Sequence, residues 1–134
     1  MKLLFDEPES SRTAALIGAE PRVVVSGLAR LEASVQIQGR VAGGLLTSRQ
    51  GKQLLVKLGS ILARHPLETV IEPPDALGVA EKQAREAPKG AYCPTLDRLH
   101  LAIMEALGYT RLLTNDDPQA RAARALDFEV ILPR

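Results

Sequence analysis

The amino-acid sequence predicts an α/β fold of three layers, in which helices cover both faces of a central parallel sheet (αβα). Compact apolar runs, the clearest of them the β-branched stretch Arg22–Ser26, alternate along the chain with segments whose apolar residues recur at helical spacing. Strands that alternate with helices form parallel sheets, because each helix returns the chain to the start of the next strand. With 134 residues and no internal repeat, the chain is expected to form a single domain over residues 1–134.

The N-terminal half is predicted to contain three helices and two strands. In chain order these are a helix within 8–20, a strand at 22–26, a helix from 27 to the Gly43-Gly44 pair, a helix that ends before Pro66, and a strand at 67–72. Ser26 is a suitable N-cap, and Leu28, Leu31 and Val35 are predicted to form the buried face of the helix after it. The apolar stripe of the next helix consists of Leu54, Leu55, Leu58, Ile61 and Leu62.

The C-terminal half continues the alternation. Its predicted elements are a helix over 76–87 with Asp75 as N-cap, a loop at 88–94, a helix at 96–107, a strand at 111–114, a helix to Leu126 and a strand at 128–132. The 96–107 helix is predicted to bury Leu99, Ile103, Ala106 and Leu107 and to end at Gly108. Asp116 or Asp117, followed by Pro118, opens the last helix.

Composition limits the classes of function. The net charge of +1 and the 3% of aromatic residues exclude a strongly basic nucleic-acid binder and a base-stacking platform. No apolar run approaches the roughly 20 residues of a membrane span, and no signal peptide is predicted. Cys93 is the single cysteine, which excludes an intrachain disulfide and favours a cytoplasmic location. Cys93, His65 and His100 are each interpreted as structural residues.

Three carboxylates lie at or near predicted helix starts. Asp116 directly follows a strand, Glu32 lies in the second turn of the helix after a strand, and Asp97 lies in a first helical turn. Taken singly, they are explained as an N-cap, a solvated side chain and compensation of a helix dipole. Taken together, they would converge at one edge of a parallel sheet, where clustered negative charge favours a hard divalent cation such as Mg²⁺ or Mn²⁺.

Several segments resemble the PIN-domain family, in particular the toxin half of VapBC toxin–antitoxin pairs. The stretch TLDRLHLAIMEALGYTRLLTNDDPQARAARALDFEVI carries the most specific motifs, "LD-x-LHLA" and "LTND", and the segments VVVSGLARLEA and LLFDEPES are also similar to the family. The resemblance implies a three-layer αβα fold and a metal-dependent nuclease that cleaves single-stranded RNA. It also implies that Glu32, Asp97 and Asp116 are catalytic metal ligands. Asp117 would be an additional ligand, and Ser26 and Asn115 would orient water or ligands.

The sequence departs from the family pattern at its N-terminus. Family members begin with a strand that ends in "D-T-S" or "D-A-S" and supplies the first aspartate, whereas Lys2-Leu3 here match a later position. Two explanations are open. The natural protein is longer and the given chain lacks the first strand, or the segment MKLLFD forms that strand and Asp6 is the ligand. A missing strand would leave apolar surface exposed and favour oligomers.

The resemblance supports one leading hypothesis of function, with two alternatives. The first hypothesis is a toxin-type ribonuclease that uses Mg²⁺ or Mn²⁺, forms a homodimer and binds a cognate antitoxin. The second is a PIN-like binding module with an incomplete catalytic site. The third is an unrelated flavodoxin-like or receiver-like αβα domain, whose carboxylates would not converge.

Overall fold

The structure, a computed structural model, describes residues 9–134. The chain divides into two compact units, unit 1 (Met1–Ile71) and unit 2 (Glu72–Arg134). Each unit contains one pair of parallel strands, so the predicted parallel pairing is confirmed in both. No helix within the described part of the chain combines the length and the apolar character needed to cross a membrane.

The described part of unit 1, residues 9–71, contains three helices and two strands, which match the elements predicted there. They are α1 (Ser10–Gly18), β1 (Val23–Ser26), α2 (Gly27–Ala42), α3 (Ser48–Leu62) and β2 (Leu67–Val70). Strands β1 and β2 run parallel in a register that places Val23 opposite Leu67 and Ser26 opposite Val70. Both strands therefore end at the same edge of the sheet, and Ser26 lies at that edge, directly before α2.

Local capping signals explain where α2 and α3 of unit 1 begin. The Ser26 hydroxyl accepts a hydrogen bond of 3.1 Å from the backbone N–H of Ala29, which confirms Ser26 as the N-cap of α2. Thr47 forms a capping box with Gln50 at the start of α3, in which each side chain accepts from the other residue's backbone N–H. These bonds satisfy backbone donors that the first turn of a helix cannot pair internally.

The core of unit 1 lies between α2 and α3. Ile37 and Leu58 are buried, and the half-buried side chains packed against them are Ala33, Leu54, Leu55, Ile61 and Leu62. The predicted stripe of α3 is therefore confirmed. The predicted face of α2 is wrong, because Leu31 and Val35 are 58% and 59% exposed.

The buried face of α2 differs from the predicted face for a steric reason. Gly51 of α3 packs so closely that a Cβ at its position would lie 2.5 Å from Val41 Cγ2 and 4.0 Å from Ile37 Cγ2. This approach turns the stripe containing Ile37 and Val41 toward α3. The helical period was recognised correctly, but the buried face depends on the small residue in the partner helix.

Unit 2 contains three helices and two strands. They are α4 (Ala76–Glu86), α5 (Thr95–Leu107), β3 (Arg111–Leu113), α6 (Asp117–Ala125) and β4 (Glu129–Ile131). Strands β3 and β4 are parallel, with Arg111 opposite Glu129 and Leu113 opposite Ile131. Gly108 ends α5 with a φ of 79°, the left-handed conformation that glycine adopts without steric cost. Asp75 occupies the N-cap position of α4 as predicted, but its side chain makes no capping hydrogen bond.

The core of unit 2 forms between α5, α6 and the strand pair. Its buried members are Cys93, Leu101, Ala122 and Ala123, and the half-buried side chains around them are Met104, Leu112, Leu126, Phe128 and Val130. Ile103 is buried as predicted, whereas Leu107 is 36% exposed. Helix α5 contacts both α4 and α6, so it buries a wider surface than one stripe, including Arg98 and Ala102.

Candidate metal centre

Asp116 lies just after β3 and caps α6. Its Oδ1 accepts a hydrogen bond of 2.7 Å from the backbone N–H of Gln119, so the predicted N-cap is confirmed. The backbone N–H of Asp116 donates to the Thr114 hydroxyl at 3.1 Å, which fixes the turn between strand and helix. A carboxylate in this position faces the positive end of the α6 dipole, where negative charge is stabilised.

Gln119 connects Asp116 to Asp97. Besides its backbone bond to Asp116, its side-chain Nε2 donates to the backbone carbonyl of Asp97 over a long distance of 3.5 Å. The opposite end of the same amide, Oε1, accepts from the Thr114 hydroxyl at 2.7 Å. Gln119 is buried, so these bonds tie the first turn of α5 to the first turn of α6. The structure therefore places the helix starts that carry Asp97 and Asp116 next to each other within unit 2; that their carboxylates share a metal ion stays a prediction.

The electrostatic environment of Cys93 supports this proximity. Burial raises the pKa of the Cys93 thiol, and the positive charge of Arg98 acts in the opposite direction. The negative charges of Asp97 and Asp116 both raise that pKa further. Both carboxylates are therefore close enough to Cys93 to affect its pKa. Because a raised pKa keeps the thiol neutral near pH 7, the interpretation of Cys93 as a structural residue fits this environment.

Asn115 and Asp117 are bound to the last residue of the chain. Arg134 Nε donates to Asn115 Oδ1 at 2.8 Å, and its Nη2 donates to the Asn115 carbonyl at 3.1 Å. Nη2 also forms a salt bridge of 2.7 Å with Asp117 Oδ1. This arrangement gives both side chains a structural role in holding Arg134 beside the start of α6.

Ser26 and Glu32 lie in unit 1, where Ser26 ends β1 and caps α2, and Glu32 lies within α2. Ser26 is buried at the end of β1, and its hydroxyl oxygen is used in capping α2. Glu32 follows one and a half turns later and is half-buried. Glu32 therefore lies in the second turn of the helix that follows β1. That Glu32 joins Asp97 and Asp116 stays a prediction.

The donor chemistry of unit 2 fits a hard divalent ion. Mg²⁺ usually takes one or two protein carboxylates and completes its shell with water and substrate phosphates, and Mn²⁺ also prefers oxygen donors. Asp97 and Asp116 have oxygen donors of this kind, and each lies at a helix N-terminus, where the helix dipole stabilises negative charge. Within residues 9–134, no group of three or more His, Cys, Asp or Glu side chains could hold a metal ion. Asp6 lies outside the described residues.

The sequence interpretation missed Gln119 and Thr114. A usable signal was present, because Asp116 and Gln119 have the N-cap and N3 spacing of a capping box. In the structure the Gln119 side chain does not return to the Asp116 N–H but reaches Thr114 and Asp97 instead. Spacing alone identifies the cap, but it does not reveal this second connection.

Comparison with known proteins identifies the family. Comparison with curated proteins gives no match. The family model of the PIN domain matches residues 1–125, which run through both units. This match confirms the resemblance to the PIN-domain family and removes the alternative of a flavodoxin-like or receiver-like domain. PIN domains have an αβα fold of the nuclease type and generally bind divalent metal ions. The chain therefore belongs to the PIN-domain family.

Proposed function

We propose that this protein is a metal-dependent endoribonuclease of the toxin–antitoxin type, which hydrolyses phosphodiester bonds in single-stranded RNA. One observation carries the proposal. In a chain with a nuclease-type fold, Gln119 holds two acidic helix starts together, with Asp116 Oδ1 at 2.7 Å from its backbone nitrogen and the Asp97 carbonyl at 3.5 Å from its side-chain nitrogen. A hard divalent ion takes carboxylate oxygens as ligands, so the position of these two aspartates on neighbouring helix starts supports a metal-binding role.

Each proposed ligand has a distinct part in the site. Asp116 uses Oδ1 to cap α6, which orients its carboxylate and leaves Oδ2 for Mg²⁺ or Mn²⁺. Asp97 supplies a second carboxylate from the first turn of α5, and Glu32 supplies a third from α2. A divalent ion held by these carboxylates would supply activated water for attack on phosphorus and would offset negative charge on the phosphate oxygens. Asn115 and Asp117 would take supporting positions, as would Ser26 at the start of α2.

The proposal includes protein partners and a cytoplasmic location. Leu31 and Val35 are exposed on either side of Glu32 in α2, and large exposed apolar side chains next to a functional residue favour coverage by another chain. We expect a cognate antitoxin to cover this face and the toxin to form a homodimer. An antitoxin segment over this face of α2 would cover Glu32, one of the proposed metal ligands.

A second candidate function is a PIN-like binding module without catalysis. It is favoured by the absence, among residues 9–134, of any trio of His, Cys, Asp and Glu side chains able to hold a metal. Such a module would keep the fold and the exposed face of α2 but would not hydrolyse RNA. The two functions differ in a single measurable property, which is cleavage that depends on a divalent ion.

The test is cleavage of single-stranded RNA in the presence of Mn²⁺. The variants are Glu32→Gln, Asp97→Asn and Asp116→Asn, each of which removes one negative charge at nearly constant shape. Matched controls in α4 are Glu81→Gln and Asp75→Asn, the latter at an N-cap whose side chain makes no capping bond. Loss of a direct ligand should reduce cleavage by at least about 100-fold, since even neighbours of metal ligands affect activity by roughly 10- to 100-fold.

The outcomes separate the two functions. Cleavage that falls in all three site variants and persists in both controls supports the ribonuclease. Cleavage that the three site variants leave unchanged would exclude these carboxylates as the site. A wild-type protein that binds Mn²⁺ but leaves single-stranded RNA intact would favour the binding module.

A further inference from the structure

Helix α3 of unit 1 carries charge of only one sign. Residues 33–67 contain five Lys and Arg residues and no Asp or Glu, although the whole sequence has 17 basic and 16 acidic residues. Three of the five lie within α3 and are exposed, namely Arg49, Lys52 and Lys57. Within residues 9–134, none of these three side chains forms an ion pair. The described part of the chain therefore leaves the positive charge of α3 uncompensated.

The three cations share the solvent side of α3. At 3.6 residues per turn, Arg49, Lys52 and Lys57 fall within an arc of about 140° and along about 12 Å of the helix. The opposite side of α3 belongs to the core of unit 1, to which Leu54 and Leu58 contribute. The cations therefore form one exposed surface, which we call the basic face of α3.

A typical solvent-exposed helix carries charges of both signs, and α4 in unit 2 is an example. There Glu81 and Arg85, and likewise Lys82 and Glu86, have opposite charges four residues apart, a spacing that stabilises a helix. Helix α3 has no such pair. It also lacks an acidic residue in its first turn and has Arg49 there, where a cation is repelled by the positive end of the helix dipole. A partner with negative charge would offset this repulsion.

The composition of the basic face selects the class of partner. A membrane-binding helix inserts a free apolar face into the lipid, but the apolar side of α3 is buried against α2. The core of a protein interface is depleted of Lys and rich in aromatic side chains, whereas the large apolar residue exposed on α3 is Val56 alone. The backbone of a nucleic acid needs only exposed cations that neutralise its phosphates, and this face provides them.

We propose that the basic face of α3 binds the phosphate backbone of single-stranded RNA through Arg49, Lys52 and Lys57. Helix α3 contains no aromatic residue that could stack on a base, so the contacts go to phosphates and do not depend on base sequence. The choice of RNA as the polymer rests on the proposed ribonuclease function, in a chain whose fold is of the nuclease type. The binding itself needs no metal ion, so it is measurable where metal-dependent cleavage does not occur.

The experiment measures binding of fluorescein-labelled oligouridylate to the full chain in EDTA, by fluorescence anisotropy over a range of NaCl concentrations. On single strands each phosphate contact contributes about 0.7 to the slope of log Kobs against log salt concentration, so three contacts contribute about 2. These contacts account for a roughly 20-fold fall in affinity between about 50 and 200 mM NaCl. The key variant combines Arg49→Gln, Lys52→Gln and Lys57→Gln, and its slope should be about 2 shallower than that of wild type.

The matched control combines Lys82→Gln, Arg85→Gln and Lys89→Gln. It removes the same total charge from exposed positions in α4 and the loop after it, so it measures the effect of net charge alone. Circular dichroism and Tm confirm that both variants are folded. Unlabelled poly(U), poly-L-glutamate and phosphatidylserine vesicles serve as competitors that represent RNA, an acidic protein and an anionic membrane.

The proposal is supported if wild type and the α4 control share one slope and the α3 variant loses about 2 from it. It is overturned if the α3 variant keeps the wild-type slope, if the α4 control loses as much, or if wild type does not bind RNA in EDTA. It is also overturned if poly-L-glutamate or the vesicles displace RNA as well as poly(U) at equal charge.

Failure of the nuclease function gives a different result from failure of this proposal. Asp97→Asn changes a proposed metal ligand and none of the cations of α3, so it should bind RNA in EDTA with the wild-type slope. A wild-type protein that binds with the predicted slope but does not cleave RNA with Mn²⁺ would overturn the nuclease function and leave RNA binding by α3 supported.

Discussion

Asp116 is assigned two roles, and two substitutions at this position separate them. As an N-cap it accepts a 2.7 Å hydrogen bond from the Gln119 N–H, and as a proposed metal ligand it contributes negative charge. Asp116→Ala removes both the hydrogen bond and the charge. Asp116→Asn removes the charge but keeps a side-chain oxygen that can accept the same bond, because Asn and Asp are comparable N-caps.

The expected magnitudes follow from this geometry. Loss of a helix cap costs about 1 kcal/mol, and up to about 2 kcal/mol where the bonded group is partly buried, as Gln119 is. Loss of the charge alone costs about 0.5 kcal/mol through the α6 dipole. In the absence of metal, Asp116→Ala should therefore lower the unfolding free energy by about 1–2 kcal/mol, and Asp116→Asn by about 0.5 kcal/mol or less.

The assay is urea denaturation followed by circular dichroism, with and without Mn²⁺. A bound ion stabilises only the folded state, so wild type should gain stability as Mn²⁺ rises, and both variants should lose most of that gain. Equal stability of the two variants without metal would refute the capping argument. A gain in Asp116→Asn equal to that of wild type would refute the role of Asp116 as a ligand.

Three further predictions concern packing, the link at Gln119 and the thiol. In the same urea denaturation assay, Gly51→Ala should destabilise unit 1 by about 1–3 kcal/mol, because the new Cβ would lie 2.5 Å from Val41 Cγ2. The matched control is Gly59→Ala, which has open space around it and should gain up to about 1 kcal/mol of stability. Gln119→Ala should weaken Mn²⁺ binding by about 10-fold or more by calorimetry, since it releases the 3.5 Å link to α5; unchanged affinity would show that this link does not position the site. Because burial raises the pKa of Cys93, the free energy of unfolding should decrease as pH rises above the unfolded thiol pKa of about 8.5. A thiol reagent at pH 8 should also react far faster with the protein in urea than with the native protein. Equal reaction rates would contradict the burial of Cys93.

Local signals were the most reliable part of the sequence analysis. Ser26 before α2 and Gly108 after α5 mark helix ends through bonds and backbone conformations within a few residues of each position. The β-branched run at β1 and the apolar stripe of α3 were likewise recognised from adjacent residues. Such features depend on the chain's own neighbourhood, which the sequence contains in full.

Features that depend on distant residues were not predictable in the same way. Leu31 and Val35 have the correct helical spacing, yet they are exposed because Gly51, in another helix, selects a different face of α2. The link from Gln119 to Asp97 joins residues 22 positions apart, and the bond from Arg134 to Asn115 joins residues 19 apart. Of the candidate site, the sequence predicts that Asp97 and Asp116 lie at helix starts, but it does not reveal the Gln119 bond that links those two helix starts.

The central claim is that Glu32, Asp97 and Asp116 bind one divalent ion together. Electron paramagnetic resonance titration of free Mn²⁺ tests it directly, with wild type, Glu32→Gln, Asp97→Asn and Asp116→Asn, and with Glu81→Gln as the control. We predict one bound ion in wild type and the control, and at least about 10- to 100-fold weaker binding in each of the three site variants. Binding by Glu32→Gln that equals wild type, while both aspartate variants lose the ion, would contradict a shared site.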